Sequence, residues 1–406
     1  MEVELFSAAL GVKEPLYIDR IEFDNDDGEL NIHMNFYHGS RFDCALCGQP
    51  EQKIHDTVWK KWRHLNFFQY KCYISLPTPR TDCDVCGVRL WVPPWGRPQS
   101  GFTVLFEAFV MTLAKEMPIV RIAELVGEQD TRLWRVVKHH VNLAYMQKDF
   151  SEVTKVAIDE TSSKKGHNYV TVAADLESKE VMFATEGKGS DTIEALAVEL
   201  TFHAAEPSQI KEVSMDMSPA FISGAAKHLP DASVTFDKFH VIQALNKALD
   251  EVRRGEQKQN PLLKSTRYVW LKNPENLTVG QQEKLKSLSG ENTKTAKAYK
   301  MKLTFQDIYK NISEPEAAEV AIKKWLSWAV RSRLEPIKKF AKMVKSHFDG
   351  IMRYFTSRLT SGAIEGINSR IQEVKRRARG FRNINNFIIM IYLEAGGLDI
   401  KVTHLK

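Results

Sequence analysis

Four cysteines fall in two pairs, Cys44-Ala-Leu-Cys47 and Cys83-Asp-Val-Cys86, with 35 residues between the pairs. Each CxxC turn offers two thiolates close enough to bind one metal ion, and two such turns complete a tetrahedral shell of four sulfurs. Gly48 and Gly87 follow each pair directly and suit the chain reversal that a knuckle needs. A closed shell has no position for substrate, so the expected ligand is a structural Zn²⁺ that helps fold a module too small for a large core. Two unlinked cysteine turns, or redox chemistry, are the alternatives. Cys72 stands apart and reads as a buried small hydrophobe.

Carboxylates form the second group. Val153 to Asp159, Ile210 to Asp216 and Ala232 to Asp237 are short β-rich runs, each ending in an acid. A lone aspartate there is usually a helix cap, but three in one series are harder to dismiss. Close carboxylates repel unless they share a cation. Mg²⁺ takes such oxygens, and a pair of ions can activate a nucleophile and stabilise the leaving oxygen of a phosphodiester. Far along the chain, Ile364, Ile367, Ile371, Val374 and Ala378 fall at helical spacing. Beside that stripe lie Glu365, Asn368, Gln372, Lys375 or Arg376, and Arg379. One face thus carries an acid near its start and cations further on, which suits a metal-bound phosphate with DNA phosphates on either side. A surface helix with Glu365 solvated is the alternative.

The elements that must hold these residues can be read coarsely. Asn168 to Ala174 and Glu180 to Thr185 extend the first run into a three-strand meander. Helices over about Asp191 to Ala204 and Pro219 to His228 separate the later strands. The resulting β-β-β-α-β-α-β order is that of a ribonuclease H-like domain, in which the first and fourth strands are neighbours and bring Asp159 and Asp216 together. Glu160 should point away from Asp159, because side chains alternate along a strand. Before this, Pro118 to Gly127 and Arg132 to about His140 suggest a helix-turn-helix. Its core would be Ile122, Leu125, Leu133, Val136 and Val137, with Arg132, Arg135 and Lys138 facing outward toward DNA. An ordinary helical hairpin is the alternative. Residues 241 to 355 read as helical, broken near Asn260-Pro261 and Asn273-Pro274, and a last helical stretch begins near Thr360.

The composition agrees. The chain has 406 residues, 43% apolar and 27% charged, which excludes global disorder, collagen and a disulfide scaffold. No run approaches the roughly 20 apolar residues of a membrane helix, and acidic residues stand near the N-terminus where a signal peptide needs positive charge. Five cysteines fit a reducing cytoplasm. The net charge is +6, yet residues 331–382 alone hold 14 Lys/Arg against 4 Asp/Glu, which points to a polyanionic partner.

Taken in order, Cys44–Cys86, AIDET (157–161), VSMDMSPAFISG (213–224), TFDKFHVIQALNKALDEVRR (235–254) and SGAIEGINSRIQEVKRRARGFRNINNF (361–387) resemble the ISL3-type bacterial insertion-sequence transposases. The resemblance covers nearly the whole chain. It implies a four-cysteine zinc finger, a helix-turn-helix and a DDE catalytic domain whose acidic triad is Asp159, Asp216 and Glu365. Asp237-Lys-Phe-His240 looks like the (C/D)xxH motif of related groups; Asp237 competes with Asp216 for the second ligand, Asp216 being preferred because the fourth strand neighbours the first and the fifth lies further out, so that Asp237, His240 and Asn368 take supporting roles. The helical stretch then corresponds to an insertion domain, with Trp325 and Trp328 as core residues or as platforms for an unpaired base.

The expected fold is therefore multidomain α+β: a zinc-binding module (1–100), a helix-turn-helix region (101–150), and a ribonuclease H-like core (151–240 and 359–406) interrupted by an all-helical insertion (241–358). The expected function is that of a DNA transposase that binds terminal inverted repeats. It would cut and join DNA with two Mg²⁺ (or Mn²⁺) per site, working as a dimer or higher assembly on DNA. Lys375, Arg376, Arg379 and Arg382 would join Arg132, Arg135 and Lys138 in binding DNA. The protein would be bacterial and cytoplasmic, on the nucleoid when bound to DNA, with no membrane partner. The rival reading is a non-catalytic regulator derived from a transposase.

Overall fold

The computed structural model describes residues 2–164, 166, 168–290, 293–359 and 362–402. The chain divides into two compact units, one formed chiefly by Met1–Met146 and the other by Gln147–Arg376 with Gly380–Gly397.

The first unit opens on a short helix, α1 (Glu2–Leu10), which the sequence reading had not drawn; it buries none of its own residues fully. Five strands follow: β1 (Leu16–Asp24), β2 (Glu29–Phe36), β3 (Lys53–Arg63), β4 (Lys71–Cys83) and β5 (Gly87–Leu90). They form one sheet in the order β1-β2-β4-β3, with β5 paired to β4. Period-two alternation puts Cys72, Ile74 and Leu76 of β4 on one face with Leu30, Ile32 and Met34 of β2, and this is the core of the module. Cys72 is thus the buried apolar residue expected, and burial pushes its thiol up to about 11.

Three helices complete the unit: α2 (Val104–Glu116), α3 (Ile119–Val126) and α4 (Asp130–Tyr145). The Thr103 hydroxyl caps α2 by accepting from the Phe106 amide. Gly127 ends α3 at φ +67°, a conformation that glycine adopts freely. Ile122, Leu133, Val136 and Val137 are buried as expected, but Leu125 is 61% exposed. The inward stripe of α3 runs through Ile119, Ile122, Ala123 and Val126, and position 125 falls outside that period. A buried carboxylate, Glu107, binds the helices to the preceding loop: it accepts from Arg97 Nε at 2.7 Å, Ser100 Oγ at 2.5 Å and His140 Nε2 at 2.6 Å. Burial raises the Glu107 carboxyl, but its hydrogen bonds from His140, Arg97 and Ser100 outweigh that and hold it below the usual range.

In the second unit β6 (Lys155–Lys164), β7 (Asn168–Asp175) and β8 (Val181–Glu186) form the antiparallel meander. Next come α5 (Ser190–Phe202), β9 (Glu212–Met215), α6 (Pro219–His228) and β10 (Ser233–Phe236). The sheet order is β10-β9-β6-β7-β8, with β9 parallel to both β6 and β10. This is the ribonuclease H-like arrangement, with the first and fourth strands adjacent. One expectation changes: β6 does not end at Asp159 but runs five residues further, because its antiparallel ladder with β7 outlasts its parallel ladder with β9.

The insertion is all-helical: α7 (Lys238–Gln257), α8 (Arg267–Leu271), α9 (Val279–Ser289), α10 (Lys294–Asn311), α11 (Pro315–Val330), α12 (Glu335–Ser346) and α13 (Phe348–Ser357). Trp325 is core: it is 2% exposed, donates to the Met301 carbonyl at 2.8 Å and packs on Phe305 and Phe340. The chain then returns to the core as α14 (Gly362–Arg377) and α15 (Ile384–Ala395). The helix expected from Thr360 includes Thr360 and Ser361, which lie outside the described residues. The Tyr392 hydroxyl of α15 accepts from the Ala184 amide of β8 at 2.9 Å.

Gly350 of α13 lies against β10, where an added Cβ would stand 2.5 Å from the Phe236 ring. Gly350→Ala should therefore cost about 1–3 kcal/mol by overpacking, read as a lowered denaturation midpoint.

Candidate active site and metal centre

Strand register builds the acidic site. Ala157 of β6 pairs with Ser214 of β9, and Phe236 of β10 pairs with Met215. Continuing both ladders sets Asp159, Asp216 and Asp237 side by side at one level, across strands about 4.8 Å apart. All three lie where the parallel ladders stop. Backbone amides hold the carboxylates: Asp159 accepts from Glu160 N at 2.8 Å, Asp216 from Ser218 N at 2.8 Å, and Asp237 from Phe239 N at 2.9 Å.

His240 sits one turn into α7 and faces this row. Its Nε2 is 3.6 Å from Asp159 and 3.8 Å from Asp237. The bond to Asp159, with the fields of Asp159, Asp237 and Asp216, raises the imidazole above its ordinary value despite burial. Glu160 is also pushed up, chiefly by burial, with Asp216 and Asp159 adding to the rise. Asp216, Met217, Ser218, His240, Gln243, Ala244 and Lys247 line a cleft of about 330 Å³ beside the row. Gln243 and Lys247 follow His240 at helical spacing on α7, a signal present in the sequence but not drawn from it.

The remote helix α14 is fastened along β6 by three side chains of one face. Asn368 Nδ2 donates to Asp159 Oδ2 at 2.7 Å, Gln372 Nε2 to Thr161 Oγ1 at 2.7 Å, and Lys375 Nζ to the Ser162 carbonyl at 2.6 Å. Glu365 is exposed one turn before Asn368. Ile364, Ile367, Ile371 and Val374 are buried beneath the same helix. Asn368 Oδ1 is buried and has no hydrogen-bond partner among the described residues. Aspartates, a glutamate and an amide carbonyl make an all-oxygen donor set, and these residues fit a hard divalent cation such as Mg²⁺. The acids are held less tightly than the thiols: among the described residues, Asp159, Asp216 and Glu365 do not form a group with ligand atoms all within 4.8 Å of one another.

The cysteines do form such a group: Cys44, Cys47, Cys83 and Cys86 place their sulfurs within 4.8 Å of one another. Cys44 and Cys47 come from the loop after β2, Cys83 ends β4, and Cys86 lies in the tight turn to β5. Gly48 and Gly87 take φ +72° and +68°, as a knuckle requires. Backbone amides of Cys47 and Leu46 lower the Cys44 thiol to about 6, while its sulfur neighbours, with Cys47 first, push Cys86 up to about 12. Four crowded thiols with one already inclined to ionise suit a cation at their centre.

The expected DNA-facing residues divide. Arg135 is exposed on α4, and Lys138 is half-buried. Arg132 is engaged within its own unit, paired with Glu128 and set over the Phe102 ring at 4.4 Å. Lys375 is spent on β6. Arg376, Arg379 and Arg382 are exposed, but α14 ends at Arg377, so Arg379 and Arg382 lie in the turn beyond the helix and not on its face.

Comparison with known proteins agrees with this geometry. A transposase family model of the ISL3 DDE type matches residues 156–391, more than half the chain. Models described as the helix-turn-helix domain of transposase family ISL3 and as the zinc-finger of transposase IS204/IS1001/IS1096/IS1165 match residues 92–141 and 40–86. The chain is 27% identical to the transposase for insertion sequence element IS1557 of Mycobacterium tuberculosis, over 97% of this chain and 96% of that one. It is 28% identical to the transposase for insertion sequence element IS1001 of Bordetella parapertussis, over 94% and 96% of the two chains. A solved HTLV-2 integrase catalytic core domain in complex with magnesium matches at 15% identity, over 33% of this chain and 93% of that one, with a TM-score of 0.17; the fold rests instead on the strand order above. With zinc-finger, helix-turn-helix and transposase-domain matches following one another along the chain, it belongs to the ISL3 family of transposases.

Proposed function

We propose that this protein is a DDE transposase that binds the terminal inverted repeats of an insertion sequence and carries out divalent-metal-dependent cleavage and strand transfer. The observation that carries the reading is the register of Asp159 beside Asp216, with α14 bonded to Asp159 through Asn368. Asp159, Asp216 and Glu365 would hold two Mg²⁺ (or Mn²⁺). Bound there, such ions lower the pKa of water and stabilise both the attacking and leaving oxygens of an in-line displacement.

The protein's own groups prepare that chemistry. Asn368 fixes one oxygen of Asp159, and the Glu160 amide holds the other, which faces His240. His240 offsets part of the repulsion along the aspartate row and stands in the cleft where a DNA end would lie. Water would displace a phosphodiester oxygen at the element end and free a 3′-OH. That hydroxyl would attack a target phosphodiester, forming one P–O bond as another breaks, so no side-chain nucleophile is needed. The four cysteines would hold Zn²⁺ and fix the module before the helix-turn-helix, whose exposed Arg135 would meet DNA. Two element ends must be held together, which favours a dimer or higher assembly on DNA.

Three outcomes test the reading on DNA carrying the matching element ends. Asp159→Asn should abolish nicking in Mg²⁺ while binding of those ends persists; a variant that still nicks would overturn the metal site. Asn368→Ala should lower the cleavage rate and the affinity for Mn²⁺ measured by calorimetry, with end binding unchanged. Metal analysis should find about one zinc per chain. Removal by chelation should lower the denaturation midpoint, and a metal-free chain of unchanged stability would reject the zinc centre.

A further inference from the structure

The insertion carries a charged groove that neither the aspartate row nor the helix-turn-helix explains. It runs between α11 and α12, has a volume of about 700 Å³, and is rimmed by Lys323, Arg331, Lys338, Lys339, Lys342 and Lys345. The one carboxylate in its wall is Glu335, which is occupied by Lys338 at 2.7 Å. Lys323 is paired with Glu319, and Arg331 bonds Ser327 of its own helix. Lys339, Lys342 and Lys345 are exposed and form no ion pair among the described residues. They follow one another at helical spacing on α12, outside its buried stripe of Ile337, Phe340, Ala341 and Val344, and Lys345 lies one turn beyond Ala341.

From these observations we infer that the α11–α12 groove is a second DNA-backbone site, one that takes the phosphates of duplex DNA without reading bases. The inference rests on the proposed handling of DNA and adds a surface to it. Six cations facing one occupied carboxylate make the groove complementary to a polyanion. The floor is Leu326, Val330 and Ala341, with no aromatic ring in the lining on which a base could stack. Lysine supplies compact point charges and not the planar fork that pairs with base edges. From Lys339 to Lys345 the helix rises about 9 Å, enough for about three phosphates of one strand at about 3.4 Å per charge along the duplex axis. An acidic protein segment would meet the same charges, and polyglutamate serves as its probe.

The full chain is titrated with a short duplex of arbitrary sequence over a range of NaCl concentrations. The variant Lys339→Gln/Lys342→Gln/Lys345→Gln should keep the wild-type melting profile, because all three side chains are exposed. Its log–log salt dependence should be shallower by about 2–3, and the corresponding triple Lys→Arg variant should restore the wild-type slope. Lys342→Glu alone, the milder change, should weaken binding in the same direction. Slopes and affinities equal to wild type in both Gln and Glu variants would overturn the groove. Polyglutamate that binds wild type but not the Gln variant, with duplex binding unaffected, would assign the groove to an acidic protein segment and also overturn it. A wild-type chain that binds no duplex would overturn the proposed function itself, so the two failures are distinguishable.

Discussion

The hydrogen bond from Asn368 to Asp159 joins residues 209 positions apart. Nothing in the intervening chain brings them together locally, since most of that stretch is the helical insertion. What closes the gap is a row on one face of α14: Asn368, Gln372 and Lys375 each donate to β6, while the isoleucines of the adjacent stripe are buried. The apolar stripe supplies adhesion without direction, and the polar row supplies register. A rotation of the helix by one residue would leave buried donors and the Ser162 carbonyl without partners, a cost that grows with each bond lost. The proposed place of Glu365 is therefore set by residues that follow it by one to three turns.

The aspartate row depends on a different constraint. Asp159, Asp216 and Asp237 stand at one level on parallel strands about 4.8 Å apart, a crowding of like charge that no fold tolerates cheaply. Each carboxylate accepts a backbone amide, and His240 stands between Asp159 and Asp237. These contacts make the row bearable, and Asp216 lines the cleft beside it. Electrostatic strain and cation affinity have one origin there: the charge that makes the row unstable is what would attract two divalent ions.

Legibility in the sequence followed the range of the interaction concerned. The cysteine centre was legible because each CxxC turn is local and the residue type restricts the chemistry. The strand order was legible because acids recurred at the ends of β-rich runs. The length of β6 was misread, since Asp159 looks like a terminus until β7 is seen to pair beyond it. Leu125 was misread because in a helix of eight residues a one-position error turns the apolar stripe outward. The individual charges were the least legible part. Arg132 and Lys375 look like free cations, yet Glu128, Phe102 and the Ser162 carbonyl claim them. Those partners lie across a turn or a sheet, where spacing along the chain carries no information.

That distinction bears on how the basic surplus of residues 331–382 is used. A run with a local charge of +10 invites a single explanation, but the fold divides it. On α14 one lysine is consumed in fastening the helix, Arg370 bonds the Glu394 carbonyl, and the other exposed arginines sit at and beyond its end. On α12 the lysines lie outside the buried apolar stripe and meet the rim of α11 across a concave surface. Lys375 cannot be removed without loosening α14 from β6, whereas the exposed lysines of α12 contribute nothing visible to packing. Their concentration around a groove with a single, already paired acid is a cost in self-repulsion that only an external polyanion would relieve.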